Sequence, residues 1–389
     1  MKIIFLSYSD FIGGAALAAH AIYKSIYQKK IYFLTVERKH KDTKVIYNIM
    51  NKIHIFILRI LEKILIFFFS KKKYHQSLNL FNTFTYNKIK KFNPDIINLH
   101  WINRSMISLK EINKFNEKIV ISFHDMWFLN STEHYFDSKK KNDNFLSKYC
   151  WQQKRKILYK KNVYFIVHNR WMFDQIKKNH PKLKKKIYLS KYYPIDINLF
   201  KPRNKIFLRK KYNLPADKKI IFFSAQDISD PRKGFLHYKN IISKLSTNKN
   251  FHFLSLGKSK FNLNDCSNYT HIDFLSHKVS SELYSLSDIF LCTSIIDNLP
   301  LTILEALSSG NLVISFENGG AKEVLKNIGY SFKISEIKKL IKLIENISEK
   351  KLKEKSILSR KFALKNLTQN NIKKQYIKIF HKINKANIF

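Results

Sequence analysis

Short β-branched and aromatic runs, separated by longer stretches with helical spacing, occur in two series along this chain. The first series is IIFLS at 3–7, IYFLTV at 31–36, DIINLH at 95–100, IVISFH at 119–124 and VYFIVH at 163–168. Unbroken apolar runs of this length suit strands buried on both faces, and strands that alternate with helices build a parallel sheet. The stretch YYPIDINLFKPRNK (192–205) carries two prolines and little helical periodicity, and after it the series restarts. KIIFFS at 219–224, FHFLSLG at 251–257, DIFLCTS at 288–294 and LVISF at 312–316 form the second set. An α/β chain with two doubly wound domains follows, and its ligands are expected in a cleft beyond the carboxyl ends of the strands. With 389 residues there is enough chain for two cores. The boundaries are read as 1–198, 199–372 and a Lys-rich helical tail at 373–389.

Composition narrows the class of partner. The formal net charge is +44, which by itself points to nucleic acid or an anionic membrane. Lysine, however, is spread through nearly every segment together with Ile, Asn and Phe, and the sequence has no RNP-like aromatic run, zinc-finger spacing or basic-zipper pattern. No specific nucleic-acid partner is therefore expected. Cys150, Cys266 and Cys292 are isolated and odd in number, so they form neither a disulfide framework nor a CxxC metal site, and a reducing cytoplasm is the expected compartment. Asp10 arrives before a signal-peptide core forms, so the first residues read as a strand. The run IHIFILRILEKILIFFF (53–69) is too short and too charged to span a bilayer. On a helix, Lys52, Arg59, Glu62, Lys63 and Ser70 fall near one face, with Ile55 and Ile66 intruding, and the remainder is apolar. Followed by SKKK, the segment 53–73 suits either an anionic membrane interface or a helix buried against a sheet.

The densest chemistry lies in SIIDNLPLTILEALSSG (294–310). It reads as a loop after a strand, then a helix that Gly310 stops. Asp297 precedes the helix and Glu305 lies two turns inside it. The amides of Asn298, Leu299, Pro300 and Leu301 mark the helix entry, apart from proline's missing N–H, and such an entry attracts phosphate. Two carboxylates about such a turn accept hydrogen bonds from vicinal hydroxyls, as sugars and ribose present them. With NGGAKEV at 318–324, the run D-N-L-P-x-T-I-x-E-A-L-x-x-G resembles the E-x7-E element of family 4 retaining glycosyltransferases.

That resemblance covers residues 1–330 and implies the GT-B fold, two Rossmann-like domains facing a central cleft with the C-terminal helix crossing back. It further implies that Glu305 binds the ribose of a nucleotide-diphosphate sugar and that Asp297, in place of the usual Glu, contacts the transferred sugar. In FFSAQDISDPRKGF (222–235), Arg232 and Lys233 supply cations for a leaving diphosphate, whose charge grows as the glycosidic bond breaks. The stretch is similar to the family's phosphate clamp, which makes Lys233 the main ligand, while Gln226 stands where an arginine is usual. Gly13 and Gly14 in FIGGAALAAHAI form a loop opening a helix, and in the family this loop lies beside the diphosphate and acceptor. SFHDMWFLNSTEHY (122–135) is similar to the family's H-D-M-W-x6-H-Y segment, which implies His124 as the catalytic group against the donor sugar and Asp125 as a secondary one. His100 and Trp101 in NLHWIN match the acceptor side or simply pack, and Asp125 is placed on the acceptor side with them.

No D-x-D dicarboxylate is present, so transfer is expected to need no metal or other cofactor. The expected reaction is retaining transfer of a sugar to a glycan or lipid-linked acceptor, in bacterial surface polysaccharide assembly, at the inner face of the plasma membrane. The alternatives at this point are a GT-B nucleotide-sugar epimerase, a degenerate transferase, and a basic nucleic-acid- or membrane-surface-binding protein without transferase activity.

Overall fold

A computed structural model describes residues 1–47, 49–69, 75–135, 144–260, 266–273 and 276–386. The chain forms two compact units, Met1–Lys191 with Lys373–Phe389, and Tyr192–Ile372. The division falls seven residues before the expected one. Residues 192–198 belong with the second unit because Ile195 N donates to Leu367 O at 2.9 Å and Arg360 Nη2 donates to Ile197 O at 3.1 Å.

The first unit is built on a seven-stranded parallel sheet. Its strands are β1 (Ile3–Leu6), β2 (Ile31–Thr35), β3 (Lys44–Val45), β4 (Ile96–Leu99), β5 (Lys118–Ser122), β6 (Val163–Val167) and β7 (Ile187–Leu189), in the order β3-β2-β1-β4-β5-β6-β7. Every residue of β1, β4 and β6 is buried, as a strand covered by helices on both faces requires. The helix Gln369–Lys385, from Lys373 onward, completes this unit. Its Tyr376 and Phe380 are buried, with Tyr376 stacked on His168 and Phe380 edge-on to Phe5.

The second unit holds a six-stranded parallel sheet of β8 (Lys219–Asp227), β9 (Phe251–Lys258), β10 (Tyr269–Ile272), β11 (Ile289–Cys292), β12 (Leu312–Phe316) and β13 (Tyr330–Phe332), ordered β10-β9-β8-β11-β12-β13. In each sheet the winding reverses beside the first strand, between β1 and β4 and between β8 and β11. Loops after those strands therefore leave a crevice at the carboxyl edge of each sheet.

The short strands β3, β7, β10 and β13, two to four residues each, have no counterpart among the expected strands. All four lie at sheet edges and are wholly or partly uncovered.

The segment 53–69 lies in a single helix, Ile49–Phe69, and its apolar face is not the packed one. Ile55, Leu58 and Glu62 are the buried residues, so the supposed intruder Ile55 and the acidic Glu62 lie on the inner side. Ser70 and residues 71–73 lie outside the described residues. Among the described residues, no helix is long and apolar enough to cross a membrane.

Candidate active site

In the second unit, Lys233 and Asp297 come from the loops after β8 and β11, the two strands flanking the winding reversal. Lys233 ends a 3-10 turn, Pro231–Lys233, whose N-cap Asp230 accepts the Arg232 amide at 3.0 Å. Arg232 turns its guanidinium back to Asp230 at 2.5 Å, so part of its charge is spent within its own turn. Across the crevice edge Lys233 Nζ meets Asp297 Oδ2 at 2.6 Å, and both side chains remain reachable from solvent, at 27% and 12% exposure.

Backbone contacts fix the two loops to one another. Ile295 N donates to Arg232 O at 2.7 Å, and Thr293 Oγ1 donates to Gly234 O at 2.9 Å. Gly234 has φ 69°, and a Cβ there would stand 1.9 Å from the Thr293 carbonyl oxygen. Gly319 has φ 45° and would bring a Cβ to 1.8 Å from the Asp297 carbonyl oxygen. Gly320 N donates to Asn298 O at 2.7 Å. The NGG of 318–320 is thus a backing plate for the Asp297 loop, because only glycine lets two main chains pass this closely.

Asn298 and Leu299 are buried, so their side chains belong to the packing of this loop. Pro300 is the N-cap of helix Leu301–Ser308 and supplies no side-chain acceptor, and the first turn carries no acid. The positive end of the helix therefore faces the crevice without an internal carboxylate to neutralise it. Gly310 takes the left-handed conformation just past the end of this helix, and its N–H donates to Leu307 O.

Glu305, in the second turn, is only partly covered from solvent, yet its carboxyl is packed deeply enough for burial to push it up to about 7, with the hydroxyl of Tyr284 pulling it back. Tyr284 comes from helix His277–Leu286, and no spacing in the sequence links it to Glu305.

The first unit brings His100, Trp101, His124 and Asp125 together around one small cavity, from the loops after β4 and β5. Gly13, at φ 88°, is the uncharged N-cap of helix Gly14–Ile26 after β1. Hydrogen bonding dictates the state of the two histidines. Ser122 Oγ donates to Asn98 Oδ1 at 2.9 Å, which leaves the Asn98 amide to donate to His100 Nε2 at 3.0 Å. His100 then carries its proton on Nδ1 and donates to His124 Nε2 at 2.7 Å. Burial holds both imidazoles well below their usual pKa, and the neighbouring histidine rings add to this, so neither ring is a cation near neutrality. Neutral His124 consequently carries its own proton on Nδ1.

Asp125 is the hub of the adjoining loop. It accepts from Trp101 Nε1 at 3.2 Å, Trp127 N at 2.9 Å and His134 Nδ1 at 2.5 Å. Burial pushes its carboxyl up, but His134, the Trp127 amide and His124 together pull it below the ordinary carboxylate range. His134 in turn meets Ser77 Oγ at 3.0 Å. Lys154, fully buried, donates to the carbonyls of Trp127, Asn130 and Ser131 and sits over the Trp127 ring. These contacts make Asp125 a positioning residue. Asn98, Ser122, His134 and Lys154 are the supports that sequence reasoning did not single out. The second His of the H-D-M-W-x6-H-Y segment was the one signal for any of them.

Two parallel sheets wound in this order, each with its polar groups at the winding reversal, define the GT-B architecture. Solved structures share it over the whole chain. A glycosyltransferase from Rickettsia africae is 18% identical, with 99% of each chain covered and a TM-score of 0.67. Anabaena Alr3699/HepE, solved in complex with UDP-glucose, is 15% identical, with 98% of this chain and 100% of that chain covered and a TM-score of 0.70. Sucrose-phosphate synthase from Thermosynechococcus elongatus is 14% identical over all of both chains, with a TM-score of 0.69. No curated protein sequence matches the chain. Residues 204–362 match the family model of glycosyl transferases group 1, so this part of the second unit is similar to that family. That stretch holds Arg232, Lys233, Asp297 and Glu305.

Proposed function

We propose that this protein is a retaining, metal-independent glycosyltransferase that moves a sugar from a nucleotide-diphosphate sugar to a glycan or lipid-linked acceptor during surface polysaccharide assembly. The observation that carries the proposal is the grouping of Lys233, Asp297 and the helix entry at the winding reversal of the second unit, in the part similar to group 1, with Glu305 two turns further on. Alr3699/HepE, of the same fold, has been solved with UDP-glucose.

Glu305 as a carboxylate accepts both ribose hydroxyls. Lys233 and the amides at the start of helix Leu301–Ser308 take the diphosphate. An arriving diphosphate competes with Asp297 for Lys233, and the released Asp297 accepts hydroxyls of the sugar. As the glycosidic bond breaks, negative charge grows on the diphosphate, where the lysine and the helix dipole already point. A diphosphate oxygen takes the acceptor proton on the face the leaving group vacates, so the sugar keeps its anomeric configuration without a protein nucleophile. Lys233 and the helix amides serve where a D-x-D site would have held a cation, in keeping with the lack of that motif. His124 is the first-unit group assigned to the sugar, and a neutral ring does not oppose the positive charge that develops there.

The test is release of nucleoside diphosphate from a panel of UDP-, GDP- and ADP-sugars, with Glu305→Ala and Lys233→Ala alongside. One donor is expected to be hydrolysed slowly without acceptor, and both variants to lose that release. Absence of release with every donor, together with no shift in melting temperature, would refute the proposal.

A further inference from the structure

Helix Ile49–Phe69 is amphipathic with its sides exchanged. Three of its polar side chains, Asn51, Arg59 and Glu62, bond to the protein beside the buried Ile55 and Leu58. Buried Glu62 accepts the Leu80 amide at 3.2 Å, and Arg59 donates to Tyr8 Oη at 2.7 Å, which itself donates to Glu37 at 3.0 Å. Lys88 Nζ donates to Asn51 Oδ1 at 2.8 Å. Eleven large apolar side chains of the same helix face solvent, with Phe67 and Phe68 at 80% and 73% exposure. Scattered exposed apolar residues are ordinary, but a continuous row along six turns marks a surface with a partner.

Two neighbours extend the row. Phe84 is exposed although it sits at φ 59°, a left-handed conformation that a bulky side chain rarely takes, and its ring lies 5.9 Å from that of His54 on the helix. At the other end the amide of Asn144 donates to the Phe69 carbonyl, and Phe145 beside it is 77% exposed.

We infer that the outward face of helix Ile49–Phe69, with Phe84 and Phe145, inserts into the headgroup boundary of an anionic phospholipid bilayer, the helix lying parallel to the surface. Charge selects this occupant. The only acid of the helix, Glu62, is turned inward, whereas Lys52 and Lys63 stand exposed. A second copy of a chain bearing +44 would be repelled, while an anionic surface attracts it. A bilayer also accepts a row of isoleucines and phenylalanines without a shape-matched partner, and no span is needed. The surface stands whether or not the chain transfers sugar.

The experiment is vesicle co-sedimentation of the full chain, without nucleotide, using phosphatidylcholine vesicles and vesicles with one third phosphatidylglycerol. The triple variant Ile57→Gln, Leu61→Gln, Phe68→Gln is compared with the single Phe68→Ser and with Ile206→Gln, Phe207→Gln, which removes exposed apolar residues from the other unit. Wild type and the Ile206/Phe207 variant are expected to bind the anionic vesicles alike. The triple variant should bind more than about tenfold more weakly, and Phe68→Ser should fall between. Unchanged binding by the triple variant would overturn the inference, as would equal binding to neutral vesicles. So would a wild-type dimer in light scattering that the triple variant turns into a monomer.

Discussion

Donor binding should strengthen as pH rises through neutrality, because Glu305 must be ionised to accept two ribose hydroxyls. With its carboxyl at about 7, roughly one molecule in ten is ionised at pH 6 and nine in ten at pH 8. The dissociation constant of the preferred nucleotide-diphosphate sugar should therefore fall about ninefold between those values, which is about 1.3 kcal/mol. The diphosphate diester has no proton of its own to lose in this range. Binding at pH 7 should expel about half a proton per donor, measurable by titration calorimetry in two buffers of different ionisation enthalpy. The sign of the stability change is opposite. A carboxyl raised on folding contributes stability that is fully present below its unfolded pKa of about 4.3 and is lost as pH climbs through about 7. The melting-temperature gain from donor should consequently be larger at pH 8 than at pH 6. Glu305→Gln should bind more weakly and without the slope. A flat dissociation constant from pH 6 to 8 with no proton released, or a slope that survives in Glu305→Gln, would show that this carboxyl does not hold the ribose.

Asp297→Asn should weaken sugar transfer yet bind inorganic pyrophosphate a few-fold more tightly than wild type, because Lys233 loses its resident competitor; weaker pyrophosphate binding in a competition assay would contradict the displacement step. Gly319→Ala should cost about 3 kcal/mol, since a Cβ there meets the Asp297 carbonyl oxygen in a left-handed conformation, and denaturant melts read this directly. Nitrogen-detected NMR of the histidines should show His124 protonated on Nδ1 and not titrating between pH 5.5 and 8, and Asn98→Leu should scramble that tautomer. Lys154→Met should destabilise the protein by about 3 kcal/mol by stranding three carbonyls, with the loss visible in thermal melts.

The two sheets were legible because their central strands are buried on both faces and must be written in apolar runs. The edge strands β3, β7, β10 and β13 were not, since an edge needs no such run. The placement of Asp297, Lys233 and Glu305 in the fold was legible because each sits at a fixed offset from a strand end or a helix start. Tyr284 was not, because its bearing on Glu305 arises from the packing of one helix on another. The proton chain Ser122, Asn98, His100, His124 crosses between adjacent strands, and only their register brings those four residues into line. For helix Ile49–Phe69, periodicity revealed two faces but not which faced inward. The inner ring of Glu62 and Arg59 is chosen by acceptors and donors on Leu80 and Tyr8, which a helical wheel does not contain.

That helix keeps two kinds of instruction on separate sides. Beside the buried Ile55 and Leu58, the contacts that hold it in place include directional bonds between particular atoms, so a change at Arg59 or Glu62 is felt by the fold. The opposite side asks only for oiliness, and any mixture of Ile, Leu, Val, Met or Phe there would serve. Substitutions drawn at random should thus sort cleanly, inner ones reported by melting and outer ones by where the protein resides. The outer face can drift on this chain without the inner contacts of the helix having to be rebuilt.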